Sequence, residues 1–101
     1  MKILWLESAY LDLIGQIDFI ATQNPNAAIG QLEVIENAVD NLSHFPEIGR
    51  PRRVASTREL IIQSSPLIVV YRYKPRKKVV QIIRVLHGKQ NYPKYSAFPN
   101  S

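Results

Sequence analysis

The segment Arg84-Val85-Leu86-His87-Gly88-Lys89-Gln90-Asn91-Tyr92-Pro93 brings a cation, an imidazole and a phenol into one short stretch of chain. Metal-free RNA cleavage needs such groups. Attack by the RNA's own 2′-OH takes a base, an acid for the leaving oxygen and a cation for the charge that develops on phosphorus. His87 and Tyr92 can move protons, and Arg84 can hold charge. The simpler reading is a histidine that caps a strand end through hydrogen bonds. Strand parity also separates the pair, because on a straight strand Arg84 and His87 point to opposite faces. Gly88 marks a point where the chain can turn.

Two further clusters carry charge. Gly49-Arg50-Pro51-Arg52-Arg53, followed by Thr57-Arg58-Glu59-Leu60, concentrates arginine in a loop stiffened by Pro51. A guanidinium matches phosphate or carboxylate bidentately, so this loop suits a nucleic-acid backbone or an acidic protein helix. Its bland reading is a connector with solubilising charge. Tyr71-Arg72-Tyr73 runs into the basic turn Lys74-Pro75-Arg76-Lys77-Lys78. Aromatics beside cations suit base stacking plus phosphate contact. A tyrosine in a central strand is equally at home in the core, and a basic turn can simply discourage edge aggregation. His44 falls at a helix C-terminus, where an imidazolium is favoured electrostatically. It is assigned no function.

The charge is unevenly distributed. The formal net charge is +5, yet residues 1–48 hold one lysine and seven acids, and residues 49–101 hold twelve Lys/Arg and one acid, Glu59. The halves are therefore −6 and +11, a split that marks a surface for polyanions or an acidic partner. There is no cysteine, which excludes a disulfide framework, a thiolate zinc site and a cysteine nucleophile. Phosphate-binding glycine loops, zinc-hydrolase signatures and metal-ligand clusters are missing as well. The expectation is no metal and no cofactor. No apolar run is long enough for a membrane span or a signal peptide, so an intracellular, soluble protein is expected.

These groups sit on elements that the periodicity predicts. At 101 residues and 46% hydrophobic content the chain suits one domain, expected over 1–95, with a short irregular tail at 96–101. Lys2–Leu6 reads as a strand. Ser8 is placed to cap a helix whose stripe is Tyr10, Leu13, Ile14, Ile17, Ile20 and Ala21. Asn24-Pro25 ends that helix and starts a second, with the stripe Ala28, Leu32, Ile35, Val39, Leu42 and Phe45. Arg58–Gln63, Leu67–Tyr73 and Val79–His87 read as strands, with a shorter one at Arg53–Ala55. The two best strands are apolar at both parities, which suits central positions. The predicted class is α+β, in the order β-α-α-β-β-β. An N-terminal strand and an antiparallel helical hairpin pack on one face of a mostly antiparallel, about four-stranded sheet. The acids of the first half are expected to face solvent.

In order along the chain, Trp5, Glu7-Ser8-Ala9, Asp12-Leu13, Ile20-Ala21 before Asn24-Pro25, Phe45-Pro46-x-x-Gly49-Arg50, Thr57-Arg58-Glu59-Leu60, Val70-Tyr71-Arg72 and Arg84-Val85-Leu86-His87-Gly88-x-Gln90-x-Tyr92-Pro93 resemble the RelE/ParE superfamily of type II toxin–antitoxin toxins. The resemblance implies a cytoplasmic growth inhibitor held inactive by a cognate antitoxin, expected to be acidic and to fold on binding over the helical hairpin. Two targets occur in that superfamily: DNA gyrase, poisoned without catalysis, and mRNA on the ribosome, cut by the toxin. Thr57–Leu60 and Arg84–Gly88 look more like the ParE branch, so gyrase is the favoured target and ribosome-dependent endoribonuclease the alternative. His87, Tyr92 and Arg84 would be catalytic only in the nuclease. Arg50, Arg52, Arg53, Arg58, Arg72, Arg76, Lys77, Lys78 and Lys89 would bind the target.

Overall fold

The computed structural model describes residues 1–54 and 56–88. β1 (Lys2–Trp5) leads into α1 (Glu7–Gln23) and α2 (Pro25–Leu42); β2 (Arg50–Pro51), β3 (Thr57–Ile61), β4 (Leu67–Lys74) and β5 (Val79–His87) follow. The sheet order is β1-β5-β4-β3-β2. Only the β1–β5 pairing is parallel. The expected α+β hairpin-on-sheet architecture holds, with five strands because β2 adds a two-residue edge.

Asn24 makes the helical joint. Its backbone N–H donates to Ile20 O at 2.8 Å, closing α1, and its side-chain oxygen accepts from Ala27 N at 3.1 Å, opening α2. Pro25 sits at the first turn, where it lacks only a donor that would have had no helical partner. The core lies between hairpin and sheet. Ala9, Ile35, Val39 and Leu42 from the helices meet Leu67, Val69, Tyr71, Val80, Ile82 and Val85 from β4 and β5. Val70 is also buried, on the opposite side of β4, so the central strand is apolar on both faces, as its sequence implies.

Several local expectations are corrected. Ser8 does not cap α1; the N-cap is Leu6, and the Ser8 hydroxyl instead donates to Ile83 O at 2.6 Å. Tyr10 and Ile14 are exposed rather than core, while Ala9 is fully buried. Phe45 is 62% exposed and does not extend the α2 stripe. The short strand lies at Arg50–Pro51, not Arg53–Ala55, and β3 spans Thr57–Ile61. Asp12, expected in solvent, is half-buried against β5.

The register explains Asp12. Val70 pairs with Arg84 and Tyr71 with Ile82, so Ile83 is an extra, bulged residue in β5. β1 stops pairing at Ile82, and beyond it α1 covers the edge of β5. Leu6 N–H donates to Ile82 O, Ser8 to Ile83 O, and Asp12 accepts from Val85 N. Ser8 and Asp12 stand four apart on α1, hence on one line of the helix.

Candidate functional site

Directly opposed residues in an antiparallel pair share a side, so the register sorts the candidate residues between the two faces of the sheet. Leu67/His87, Val69/Val85 and Tyr71/Ile82 lie on the helical side. Ile68/Leu86, Val70/Arg84 and Arg72/Gln81 lie on the open side, joined by Thr57 and Glu59 of β3 and by Arg50 of β2. Arg84 and His87 therefore occupy opposite sides. Lys89 and Tyr92 lie outside the described residues.

Arg84 is engaged by its own chain. Its Nε and Nη2 donate to the Asp12 carboxylate at 2.6 and 3.0 Å, in a bidentate fork. Hydrogen bonding to Asp12 pushes the Arg84 guanidinium above its ordinary pKa, against the opposing effect of burial.

Glu59 gathers Arg50 of β2 and Arg52 just after it. Its side chain is 10% exposed, and Arg50 Nη2 bonds it at 2.6 Å while Arg52 Nε approaches to 3.5 Å. Arg50 remains 60% exposed and Arg52 14%. Arg53 is exposed in the following bend. Arg58 shares the side of Tyr71, its partner in register, and donates through Nη1 to the backbone carbonyls of Glu47 and Gly49.

Tyr71 belongs to the core, fully buried, and offers no stacking surface. Its hydroxyl donates to Pro46 O at 2.9 Å and accepts from Gly49 N at 2.8 Å. Together with Arg58, it clamps the segment that delivers Arg50 into β2. Burial pushes the Tyr71 phenol above its ordinary pKa of 10.0, outweighing the Gly49 N–H and the nearby Arg58 charge, which favour the phenolate. A proton held more tightly in the folded state gives stability that is complete below pH 10.0 and is lost as pH rises through the folded value. Tyr71→Phe should cost about 1–3 kcal/mol at neutral pH, because it strips hydrogen bonds from a buried N–H and a carbonyl. The difference from wild type should narrow in alkali. Urea midpoints measured for both proteins at neutral pH and above pH 10.0 check this; a constant difference would contradict it.

The cations of the second half thus divide. Arg50 and Arg52 are offset by Glu59, Arg84 by Asp12, and Arg58 is held by carbonyls. Arg72, Lys74, Arg76 and Lys77 converge instead on an open hollow beside the β4–β5 turn. Sequence reasoning missed Asp12, Glu59 and the Gly49–Tyr71 contact as organising groups. The one available signal was the i, i+4 spacing of Ser8 and Asp12.

A helical hairpin on a mostly antiparallel sheet is the architecture that the resemblance to the RelE/ParE superfamily implies. The match is specific. Residues 3–92 fit the family model described as the ParE toxin of the type II toxin–antitoxin system parDE. Y4kP, a candidate toxin of Sinorhizobium fredii, is 40% identical over 83 residues, covering 82% of this chain and 81% of that one. A chain of the chromosomal ParDE toxin–antitoxin system of P. aeruginosa superposes with a TM-score of 0.75 at 27% identity, covering 86% of this chain and 95% of that one. The intact E. coli RelBE toxin–antitoxin complex shares the fold, with a TM-score of 0.59 at 19% identity over 83% and 92% of the two chains. The chain belongs to the ParE toxin family of type II toxin–antitoxin systems.

Proposed function

We propose that this toxin inhibits growth in the cytoplasm by poisoning DNA gyrase, without making or breaking a bond itself, and that a cognate antitoxin neutralises it by direct binding. The observation that carries this reading is the separation of Arg84 from His87. Arg84, at an open-side register position, is forked to Asp12 of α1 at the edge of β5, and His87 stands across from Leu67 on the helical side. A phosphoryl-transfer site needs its proton-moving group and its charge-stabilising group aimed at one point, and these two are not. Arg50, Arg53, Arg72, Arg76, Lys77 and Lys78 form the target-facing set. Arg52, Arg58 and Arg84 hold the architecture beneath them.

The antitoxin surface is the outer face of the hairpin. On the hairpin Tyr10, Leu11, Ile14, Phe19 and Ile29 are exposed, apolar area that suits a partner better than water. Both the ParDE system and the RelBE complex named above pair such a toxin with an antitoxin. An acidic antitoxin segment that folds on binding would set its apolar side on this face.

The experiment is a supercoiling assay with purified gyrase. Excess toxin should abolish supercoiling or trap cleaved DNA complexes, and the antitoxin should reverse the effect. Untouched gyrase, with mRNA cut codon by codon on ribosomes, would overturn the proposal in favour of the nuclease.

A further inference from the structure

The hollow beside the β4–β5 turn has an architecture of its own. On one side, β4 delivers Arg72 and ends at Lys74, and a tight turn then projects Arg76 and Lys77. That turn is closed by Lys77 N–H to Lys74 O at 3.2 Å and Lys78 N–H to Pro75 O at 3.1 Å. Lys78, at φ 55°, takes the left-handed conformation that returns the chain to β5. On the other side stands Ser56, also left-handed at φ 68°, just before Thr57, which pairs with Arg72. Tyr73 and Pro75 complete the lining, with the Tyr73 side chain itself packed against the core.

Three features point to a ligand. First, the lining carries four cations and no carboxylate; among the described residues no ion pair reaches any of the four. Second, the hollow measures about 560 Å³, within the ~300–1,000 Å³ of ligand clefts and larger than one bare anion fills. Third, the apolar ring of Pro75 stands among the cations, beside the planar guanidinium of Arg72. An extended string of carboxylates has no use for such a surface. A nucleic acid does, because its sugars and bases accompany phosphates at regular intervals.

We propose that this hollow is a phosphodiester-binding site that takes a short stretch of nucleic-acid backbone, with Arg72, Lys74, Arg76 and Lys77 on the phosphates and the Ser56 hydroxyl donating to a phosphate oxygen. This deepens the proposed function, on which it rests for the identity of the target-facing set. It names the chemistry that part of the set meets: nucleic acid rather than protein.

The test measures binding of the purified full chain to short fluorescent oligonucleotides by anisotropy over a range of salt, without gyrase or ribosomes. Single-stranded DNA, RNA of the same sequence and duplex DNA form the arms, and the tightest arm identifies the source of the phosphodiester. The double variant Arg76→Gln/Lys77→Gln alters only exposed side chains of the turn. It should weaken binding on the order of tenfold at low salt and flatten the log–log salt slope by about 1.4 on single strands or 1.8 on duplex. Arg72→Gln should flatten it further. Thermal melts of each variant separate binding from folding. Variants that fold and bind with wild-type affinity and slope would overturn the site. So would poly-glutamate competing as well as the oligonucleotides, which would make the hollow a seat for an acidic protein segment. Because gyrase is left out, failure here leaves the supercoiling result standing, and the reverse also holds.

Discussion

Replacing Gly49 with alanine is expected to destabilise the fold by about 3 kcal/mol, an overpacking penalty joined to the loss of a buried hydrogen bond. A Cβ at Gly49 would lie 2.7 Å from both Cε1 and the hydroxyl oxygen of Tyr71, and 2.9 Å from the carbonyl oxygen of Glu59. Neither neighbour can yield cheaply. The tyrosine ring is fully buried and its hydroxyl is held by Pro46 and Gly49. The Glu59 carbonyl is β3 backbone, in the strand that carries the carboxylate bonded to Arg50. The requirement at Gly49 is close approach, and no unusual backbone angle is involved. For a domain of this size the penalty corresponds to a fall in Tm on the order of 10 °C or more. Calorimetry would check it; a Tm within a degree or two of wild type would show that the Tyr71 clamp is looser than described. Tyr71→Phe in the Gly49→Ala background should recover part of the loss, since it removes one of the three clashing atoms.

The second large effect is expected at Asp12. Its carboxylate accepts from Arg84 Nε, from Arg84 Nη2 and from Val85 N–H, so Asp12→Ala removes the fork and uncovers a strand-edge donor together. A hydrogen bond to a charged group contributes about 1.5–3 kcal/mol. Arg84 is 38% exposed and Asp12 18%, so solvent screening weakens the ionic share. The net expectation is a loss of about 2–3 kcal/mol. Arg84→Ala should cost about 1 kcal/mol less, because Asp12 still accepts from Val85 N–H. Urea titration of the two variants reads that order directly. If Arg84→Ala proved the more damaging, the carboxylate's main task would lie with the guanidinium and not with the edge of β5.

The element order was legible because two periods dominate the chain. Apolar steps of three and four marked both helices, and strands apolar at both parities marked β4 and β5 as central. Asn24-Pro25 marked the joint by local chemistry alone. Burial on α1 was misread for a physical reason: a helix pattern shows which residues are apolar, not which apolar residues the fold covers. Tyr10 and Ile14 are exposed, while Ala9 is buried and Asp12 accepts from Val85 N–H. The expected cationic face was half legible. Composition located the arginines, but the pairing of Arg84 with Asp12 spans 72 positions and that of Tyr71 with Gly49 spans 22. Both depend on sheet register, including the bulge at Ile83, which no local pattern announces. The parity argument that set Arg84 and His87 on opposite faces holds, because the bulge lies before both.

On the proposed reading, this toxin acts by occupying its target and not by chemistry of its own. The most direct measurement is the gyrase assay described above, run with wild type and His87→Ala side by side. Equal inhibition of supercoiling by the two folded proteins is the predicted result. Gyrase indifferent to both, with message cleaved on ribosomes by wild type and spared by His87→Ala, is the result that would contradict it.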